Sequence, residues 1–536
     1  MKVGQRPPAH IRGVFVAVAA LLALPILLLL WQLTGGTTDT WQHLSRTVLP
    51  TYIYNTVVLC LGTGTLAVIL GISTAWLVSR YRFSGSRWLG WALVLPLALP
   101  SYIVAYTYGG IVSYTGPLQR WSRGMGWATD ALVPFELMSL PGATVLLALV
   151  LYPYVYLLSR TLFQRQSSRL LQAASLLGAS GWRTFWQVGL PLVRPAAAAG
   201  TALVLMEVLN DYGAVKYFGV PTFTTGIFRA WFSMSDLTSA VRLSGLLIVL
   251  VAVALALERW GRGSRRYTDS RTATPPASPE QLSSWRGVLA ILWCGLPVAL
   301  GFVIPLLQLG SWALSYGSRA FTTELWRTIA NTFVIGGASA GIILAVALLI
   351  GYIARYGRGR VLTLLVRTST LGYAVPGAVI AVGVLAFTTT VDRAGALGTL
   401  FLTGSIIALI YAYAVRFMAV AFGSVESGYE QLPPSLHQVA QVLGSGSRRA
   451  YFRVELPLLR RAAIAGALLT FVDVLKELPL TLILRPFDYD TLATKAYELA
   501  NDEQVASSAI YALLIVGVGL LPVLGLHRIL QRGHQW

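Results

Sequence analysis

The sequence has few charged residues for its length. Only 12% of its 536 residues are Asp, Glu, Lys or Arg, whereas 55% are hydrophobic. An average soluble protein is about 25% charged, and intrinsic disorder requires low hydrophobicity. The composition therefore excludes both a soluble multidomain protein and a disordered chain, and it indicates a polytopic membrane protein.

Cysteine is almost absent as well. The two cysteines, Cys60 and Cys294, both lie in apolar runs, and the chain has five histidines. Two cysteines cannot form a disulfide framework or a cysteine-rich metal site, so we expect both to be ordinary packed side chains. The sequence also lacks a phosphate-binding loop of the form GxxxxGK[ST]. The chain is therefore not expected to hydrolyse ATP.

Long apolar runs are abundant. A helix needs about 20 mostly apolar residues to cross the hydrocarbon core of a bilayer. Such runs lie near 13–33, 54–79, 88–112, 138–159, 195–215, 238–258, 286–312, 327–354, 361–389, 396–422, 462–484 and 506–527. They predict an all-α fold with about twelve transmembrane helices. The first run could be a signal peptide, but its length and the lack of a clear cleavage site favour a retained helix.

Basic residues outnumber acidic residues, 41 to 21. In a soluble protein this excess would suggest nucleic-acid binding. Here the arginines concentrate in every second loop, near 80–87, 160–194, 259–286, 355–360, 448–461 and 528–532. The positive-inside rule places these loops and both termini in the cytoplasm. The excess is thus explained by topology, and we predict a lipid bilayer and no nucleic acid as a partner.

The sequence contains an internal repeat. Asn55-Thr56 recurs 276 residues later as Asn331-Thr332, and Pro100 recurs at the same offset as Pro376. Beyond a shortened outside loop, the offset falls to 266 residues. We predict two parallel six-helix repeats, 1–261 and 286–536, joined by a flexible Pro/Ser-rich cytoplasmic linker, 262–285. Because each repeat has an even number of spans, a pseudo-two-fold axis along the membrane normal is expected, with a pathway between the repeats. Each Pro is expected to mark a break in its span.

Each repeat has one long cytoplasmic loop, between its fourth and fifth spans. The two loops share a pattern of residues: Gln172-Ala173-Ala174, Gly178 and Leu190-Pro191 in the first, and Gln438-Val439-Ala440, Gly444 and Leu456-Pro457 in the second. The pattern predicts a short helix, a glycine at a sharp turn, a second short helix and a proline at the re-entry into the membrane. An amphipathic connector would explain one such loop, but not two at matched spacing.

The paired loops resemble the EAA loops of binding-protein-dependent ABC importer permeases, and the resemblance covers roughly residues 50–525. It implies a bacterial inner-membrane permease that binds no cofactor itself. It also implies two copies of a cytoplasmic ABC ATPase that use ATP, and a periplasmic substrate-binding protein. The implied ATPase contacts are the loop residues named above: Gln172, Ala173, Ala174, Gly178, Leu190, Pro191, Gln438, Ala440, Gly444, Leu456 and Pro457. Both loops have Gln where the family usually has Glu, which removes a charge-assisted pair but not the docking.

Four carboxylates fall at membrane depth, where ionisable side chains are costly and suggest function. Glu207 and Asp211 align with Asp473 and Glu477, and each pair is spaced i, i+4. We predict that they line the pathway and attract a hard cation, which favours carboxylate and phenolate oxygens such as that of Tyr212. The alternative is that they pair with Lys216, Lys476 or Asn side chains and only lock the helices together. The identity of any metal ligand stays open.

The segments 211–231 and 476–493 resemble the ferric-iron branch of the permease family, in which two halves are fused in one chain. This resemblance implies ferric iron as the substrate. Thiamine, phosphonate and polyamine permeases remain alternatives within the family. An ion-coupled secondary transporter would also suit intramembrane carboxylates, but it gives no reason for the paired loops. A membrane enzyme is not supported by any nucleophile and base at useful spacing.

Overall fold

The structure, a computed structural model, is almost entirely helical. It describes residues 8–126, 137–165, 180–262, 280–282, 284–317, 321–357, 359–395, 401–433 and 435–532. The helices of the first sequence repeat are α1 (Ala9–Gln32), α2 (Asp39–Thr47), α3 (Leu49–Arg80), α4 (Ser86–Ala92), α5 (Ser101–Val112), α6 (Pro117–Gly124), α7 (Leu140–Arg165), α8 (Gly181–Thr184), α9 (Leu190–Asn210), α10 (Gly213–Tyr217), α11 (Phe223–Phe228) and α12 (Leu237–Arg262).

The structure describes twelve further helices in the second repeat. Its helices are α13 (Ser284–Val298), α14 (Ile304–Tyr316), α15 (Thr323–Tyr356), α16 (Arg360–Ser369), α17 (Gly377–Arg393), α18 (Ile406–Glu430), α19 (Leu436–Val442), α20 (Ser447–Ala450), α21 (Leu456–Lys476), α22 (Pro479–Leu484), α23 (Leu492–Asn501) and α24 (Val505–Arg532). Two-residue strands β1 (Tyr81–Arg82) and β2 (Glu280–Gln281) pair in parallel. The end of the predicted linker is thus paired with the loop after α3.

Within the described residues, nine helices are long and apolar enough to cross a membrane, and a bent pair would make a tenth. The bent pair is Ser86–Ala98 with Ser101–Gly124, which covers the predicted span 88–112. The predicted spans 361–389 and 462–484 are not among these membrane-crossing helices. Span 361–389 is divided between α16 and α17. Span 462–484 begins within α21, which carries four charged residues, Arg460, Arg461, Asp473 and Lys476. The polytopic all-α fold is confirmed, with these differences in the spans.

The predicted breaks at the two prolines are confirmed. Pro100 directly precedes α5 and follows a 3-10 turn, Leu95–Ala98; the two helices on either side meet at 91°. Pro376 directly precedes α17 and follows a 3-10 turn, Leu371–Ala374. The turns are 276 residues apart, like the prolines. Proline lacks the N–H that a continuous helix would use, so each span breaks at this point.

Packing divides the chain into two compact units that are not the contiguous sequence repeats. One unit comprises Met1–His43, Ile227–Ile248 and Phe321–Lys495, and the other comprises Leu44–Gly226, Val249–Ala320 and Ala496–Trp536. In the first unit, α1 packs on α16 and α17 of the second repeat. In the other unit, the segment from α13 to α14 packs on α7 and α5 of the first repeat. Each repeat therefore contributes its first long helix to the unit built mainly from the other repeat.

Glycines permit both of these contacts. A Cβ at Gly383 in α17 would lie 2.8 Å from the carbonyl oxygen of Pro25 in α1. A Cβ at Gly301, between α13 and α14, would lie 2.6 Å from the carbonyl oxygen of Leu149 in α7. Separations this short are not tolerated between a side chain and a backbone oxygen, so glycine is required for the close helix packing at both positions.

Candidate coupling and transport sites

The second of the two paired loops has the predicted helix, turn and helix. Helix α19 ends in a Schellman motif, in which the N–H of Ser445 donates to the carbonyl of Ala440 at 3.0 Å. Gly444 occupies the left-handed position with φ of 83°, and the short helix α20 follows. The corresponding first-loop residues Gln172, Ala173, Ala174 and Gly178 lie outside the described residues.

Three of the described side chains in α19 and its turn are apolar and largely exposed. Val439, Val442 and Leu443 are 55%, 87% and 79% exposed, whereas Ala440 is 7% exposed. Exposed apolar side chains that adjoin one another are typical of interaction sites. Three of the residues predicted to touch an ATPase lie here. Ala440 is buried, Gly444 forms the turn, and Gln438 belongs to α19. Val439, Val442 and Leu443 were not among the predicted contact residues.

Both loops lead into the membrane through the same backbone feature. A π-helical turn, Phe185–Gly189, precedes Leu190-Pro191 at the start of α9, and another, Tyr451–Glu455, precedes Leu456-Pro457 at the start of α21. Proline cannot donate to the carbonyl four residues earlier and its ring crowds that turn. The wider π turn accommodates the ring without ending the helix. The last short helix of each paired loop is thereby continuous with the long helix that follows it, α9 or α21.

The side chains around these two π turns differ between the repeats. In the first, Gly189 lies against Trp76, whose ring also packs on Phe163 and Phe185. In the second, the corresponding position is Glu455, which is 2% exposed and accepts a 3.0 Å hydrogen bond from the hydroxyl of Tyr356. Three further tyrosines surround Glu455: Tyr352, Tyr429 and Tyr451. An apolar contact in one repeat is thus replaced by a buried polar cluster in the other.

At the other end of α9, Asp211 caps the next helix. It is 9% exposed, and its Oδ1 accepts from the N–H groups of Ala214 and Val215 at 2.9 and 3.2 Å. These are free N–H groups at the start of α10, the usual targets of a capping carboxylate. Its Oδ2 accepts a short hydrogen bond from the hydroxyl of Ser101, directly after the Pro100 break. Asp211 therefore fastens α10 to the break in the third span.

Glu477 has the same arrangement in the second repeat. It is 6% exposed, and its carboxylate accepts from the N–H groups of Leu480 and Thr481 at 3.0 and 2.9 Å. Arg416 interacts electrostatically with Glu477 and donates to the carbonyl of Val375, directly before the Pro376 break, at 2.7 Å. Asp211 and Glu477 thus hold neighbouring segments together, but through backbone N–H groups, Ser101 and Arg416 and not through the lysine and asparagine side chains of the alternative.

The other two carboxylates have different surroundings. Glu207 in α9 and Asp473 in α21 are both half-buried and lie one turn before the capping residues. The N–H of Asp211 still donates to the carbonyl of Glu207 at 2.9 Å, so the helix persists between them. A role of the four carboxylates in lining a pathway stays a prediction.

Tyrosines that the sequence analysis did not select surround Tyr212. Its ring lies 5.8 Å from that of Tyr497, which lies 6.4 Å from the ring of Tyr102. All three belong to one compact unit and are buried. The residues come from three distant parts of the sequence, so no local pattern could have joined them.

The Asn-Thr pair that marks the repeat has a structural role. Asn55 donates to the carbonyl of Pro221 at 2.9 Å, and Asn331 donates to the carbonyl of Asp490 at 3.3 Å. The hydroxyls of Thr56 and Thr332 accept from the N–H groups of Phe223 and Leu492. Each pair therefore holds the loop before α11 or α23. The recurrence of Asn-Thr in the sequence indicated that these residues matter, but it did not identify their hydrogen-bond partners.

A cavity of about 730 Å³ lies within the same unit as Tyr212, at the C-terminal end of α5. Its lining includes Tyr217, Glu503, Arg120 and Trp312. Burial, together with the nearby Glu503 carboxylate, raises the pKa of Tyr217 above its ordinary value. The cavity thus combines a neutral phenol with a carboxylate. Among the described residues, no group of three or more His, Cys, Asp or Glu could hold a metal ion.

The sequence family is decided by two matches along the chain. The family model described as binding-protein-dependent transport system inner membrane component matches residues 67–259 and again residues 337–534. The chain belongs to this family. The two matches confirm both the permease resemblance and the internal repeat, and the chain is a multi-pass inner-membrane permease rather than an enzyme.

Individual relatives of the permease fall into two length classes. The Fe(3+)-transport system permease protein FbpB 2 of Haemophilus influenzae is 26% identical over 524 residues, which cover 97% of this chain and 98% of that protein. The molybdenum transport permease ModB of Escherichia coli is 30% identical over 217 residues, 39% of this chain and 92% of ModB. The sulfate permease CysW of Escherichia coli is 29% identical over 38% of this chain and 68% of CysW. The first relative thus shares the two-repeat length, whereas ModB corresponds to less than half of this chain.

Proposed function

We propose that this permease imports ferric iron, driven by ATP hydrolysis in a separate cytoplasmic ATPase and supplied by a periplasmic binding protein. The observation that carries the proposal is the similarity to a Fe(3+)-transport permease along nearly the whole of both chains. The sulfate and molybdenum permeases match only part of the chain, so they support the family more than the substrate.

The ATPase is proposed to dock on the two cytoplasmic loops. In the second loop, the apolar surface of Val439, Val442 and Leu443 offers the contact, and Gly444 sets the angle between α19 and α20. Because the π turn makes α20 continuous with α21, a displacement of the docked loop would move the eleventh predicted span. Two loops imply two ATPase subunits, and both termini are proposed to be cytoplasmic like the loops.

The substrate path is proposed to pass the oxygen-bearing side chains of α9 and α21. Glu207 and Asp473 are half-buried, so they retain access that Asp211 and Glu477 lack. Ferric iron is a hard cation that binds carboxylate and phenolate oxygens. A pathway must attract an ion without trapping it, so we propose separate carboxylates along the path and not a closed ligand cage.

ATP hydrolysis by the assembled transporter tests the proposal. The permease and its ATPase are placed in nanodiscs, and hydrolysis is measured with the cognate ferric-ion-binding protein, either empty or loaded. We expect the loaded binding protein to stimulate hydrolysis several-fold. Stimulation by a sulfate- or molybdate-loaded binding protein instead would contradict ferric iron as the substrate. If the permease retained no ATPase, the proposal that a separate ATPase drives import would be wrong.

A further inference from the structure

One loop is longer in the second repeat than in the first. Four residues separate Tyr217 from Thr222, whereas seven separate the corresponding Ile483 and Thr491. The ends of the two loops match, because the N–H of Thr222 donates to the hydroxyl of Thr225 and that of Thr491 to the hydroxyl of Thr494. The second repeat therefore has three additional residues at a defined place.

The longer loop forms a tight turn with an aromatic residue at its tip. The N–H of Tyr489 donates to the carbonyl of Pro486 at 3.2 Å, and Asp488 within the turn has φ of 58°. Phe487, the other central residue, is 101% exposed. A positive φ at a residue other than glycine is unfavourable, so the surrounding contacts must hold this conformation.

Several contacts from α15 fix the turn. Arg327 donates to the carboxylate of Asp488 at 2.8 Å and to its carbonyl at 3.1 Å. The hydroxyl of Tyr489 donates to the carbonyl of Asn331 at 3.0 Å, and Arg485 forms an ion pair with Asp490 within the loop. The exposed ring thus projects from a backbone that is already ordered.

The turn lies at the opposite end of the span from the coupling loop. Helix α21 starts at that loop and has 21 residues, which extend about 32 Å at 1.5 Å per residue. The chain then passes through α22 to Phe487. If the coupling loop contacts the cytoplasmic ATPase, the turn faces the side from which the binding protein arrives.

A single exposed apolar side chain is common on protein surfaces. Phe487 differs because its ring is fully exposed and because the next residue, Asp488, is held at a positive φ by its contacts with Arg327. Aromatic side chains of this kind anchor protein interfaces when they enter a pocket of the partner, and an ordered loop lowers the entropy lost on binding. The family is described by its dependence on a binding protein, which supplies the partner for such an anchor.

We propose that Phe487 is the anchor on which the periplasmic binding protein docks, with its ring in an apolar pocket of that protein. The inference rests on the proposed function, because it requires a binding protein to be the partner. It adds that docking is asymmetric, since the corresponding loop of the first repeat is three residues shorter.

Binding of the cognate ferric-ion-binding protein to the full-length permease in nanodiscs tests the inference. Phe487→Ala should raise the Kd at least tenfold without changing basal ATP hydrolysis. Phe401→Ala is the matched control, because Phe401 is also an exposed phenylalanine, 71%, in a loop at the same end of the second repeat; its Kd should stay within twofold. Arg327→Gln keeps the ring but loosens the turn, and we expect an intermediate Kd.

A photocrosslinker at the same position identifies what the ring touches. With Phe487→p-benzoylphenylalanine, we expect a covalent adduct with the binding protein on illumination. Adducts with lipid alone, or equal Kd values for wild type and Phe487→Ala, would overturn the inference while leaving the proposed function intact. If wild type does not bind the ferric-ion-binding protein at all, it is the proposed function that fails.

Discussion

The hydroxyl of Tyr356 donates a 3.0 Å hydrogen bond to the carboxylate of Glu455, and so joins the end of α15 to the π turn that leads from the second coupling loop into α21. The residue at the corresponding position of the first repeat is Gly189, which contacts Trp76. The two paired loops are therefore attached to their repeats by different chemistry. One attachment is a buried hydrogen bond, and the other is an aromatic contact.

Removal of this hydrogen bond should destabilise the protein. Tyr356→Phe leaves the buried Glu455 carboxylate without one of its donors, which costs about 1–3 kcal/mol. Glu455→Gln keeps an acceptor for Tyr356 and removes the charge, so we expect a smaller loss. Thermal unfolding of the purified permease measures both variants. Tyr316→Phe, at the partly exposed end of α14, is the control and should leave the midpoint unchanged.

Gly444 should be intolerant of any side chain, although there is space for one. Nothing lies within 4 Å of a Cβ at this position, but φ is 83°, and the left-handed conformation costs an L-residue about 1–2 kcal/mol. Gly444→Ala should therefore distort the turn and weaken ATPase binding. Gly446→Ala is a matched control two residues away, also with open space around the Cβ. Equal ATPase binding by the two variants would contradict the role of the turn.

Substitution of the capping carboxylate Asp211 should lower stability, whereas substitution of the proposed pathway carboxylates Glu207 and Asp473 should lower transport. Asp211→Ala removes the acceptor for two N–H groups and one hydroxyl, and loss of a cap alone costs about 0.5–2 kcal/mol. We expect a lower unfolding temperature. Glu207→Gln and Asp473→Asn should preserve the unfolding temperature and lower the rate of ferric-iron uptake. If these two variants transport normally, the carboxylates do not line the path.

Asp236 should make part of the stability depend on pH. Burial raises the pKa of Asp236, but hydrogen bonds from Ser239 and Thr38 outweigh burial, so the pKa lies below its ordinary value of 3.8. A depressed pKa stabilises the fold above the ordinary pKa, and this contribution is lost as pH falls below 3.8 toward the folded-state pKa. Asp236→Asn should therefore unfold at a lower temperature than wild type at pH 7, and the difference should shrink in acid. A difference that does not vary with pH would contradict this.

Features repeated along the sequence could be predicted from it. Pro100 and Pro376 break their spans because proline cannot continue a helix, and Gly444 forms a left-handed turn that local sequence signals. The exchange of first helices between compact units could not be predicted, because the close approach of Gly383 to Pro25 joins residues far apart in the sequence.

The roles of the carboxylates were predicted only in part. The spacing of Glu207 and Asp211 suggested one shared function, but Asp211 follows the last residue of α9 and caps α10. The role of Glu455 could not be predicted, because the tyrosine that donates to it, Tyr356, lies 99 residues earlier. A buried polar cluster of this kind depends on tertiary packing and leaves no local periodicity.

Uptake of radiolabelled ferric iron into proteoliposomes tests the central claim most directly. The vesicles contain the permease with its ATPase and internal ATP, and the ferric-ion-binding protein is added outside. We predict that iron accumulates only when ATP and the binding protein are both present. The double variant Glu207→Gln/Asp473→Asn should accumulate less iron than wild type. Accumulation of sulfate or molybdate but not iron, each offered with its own binding protein, would contradict the claim.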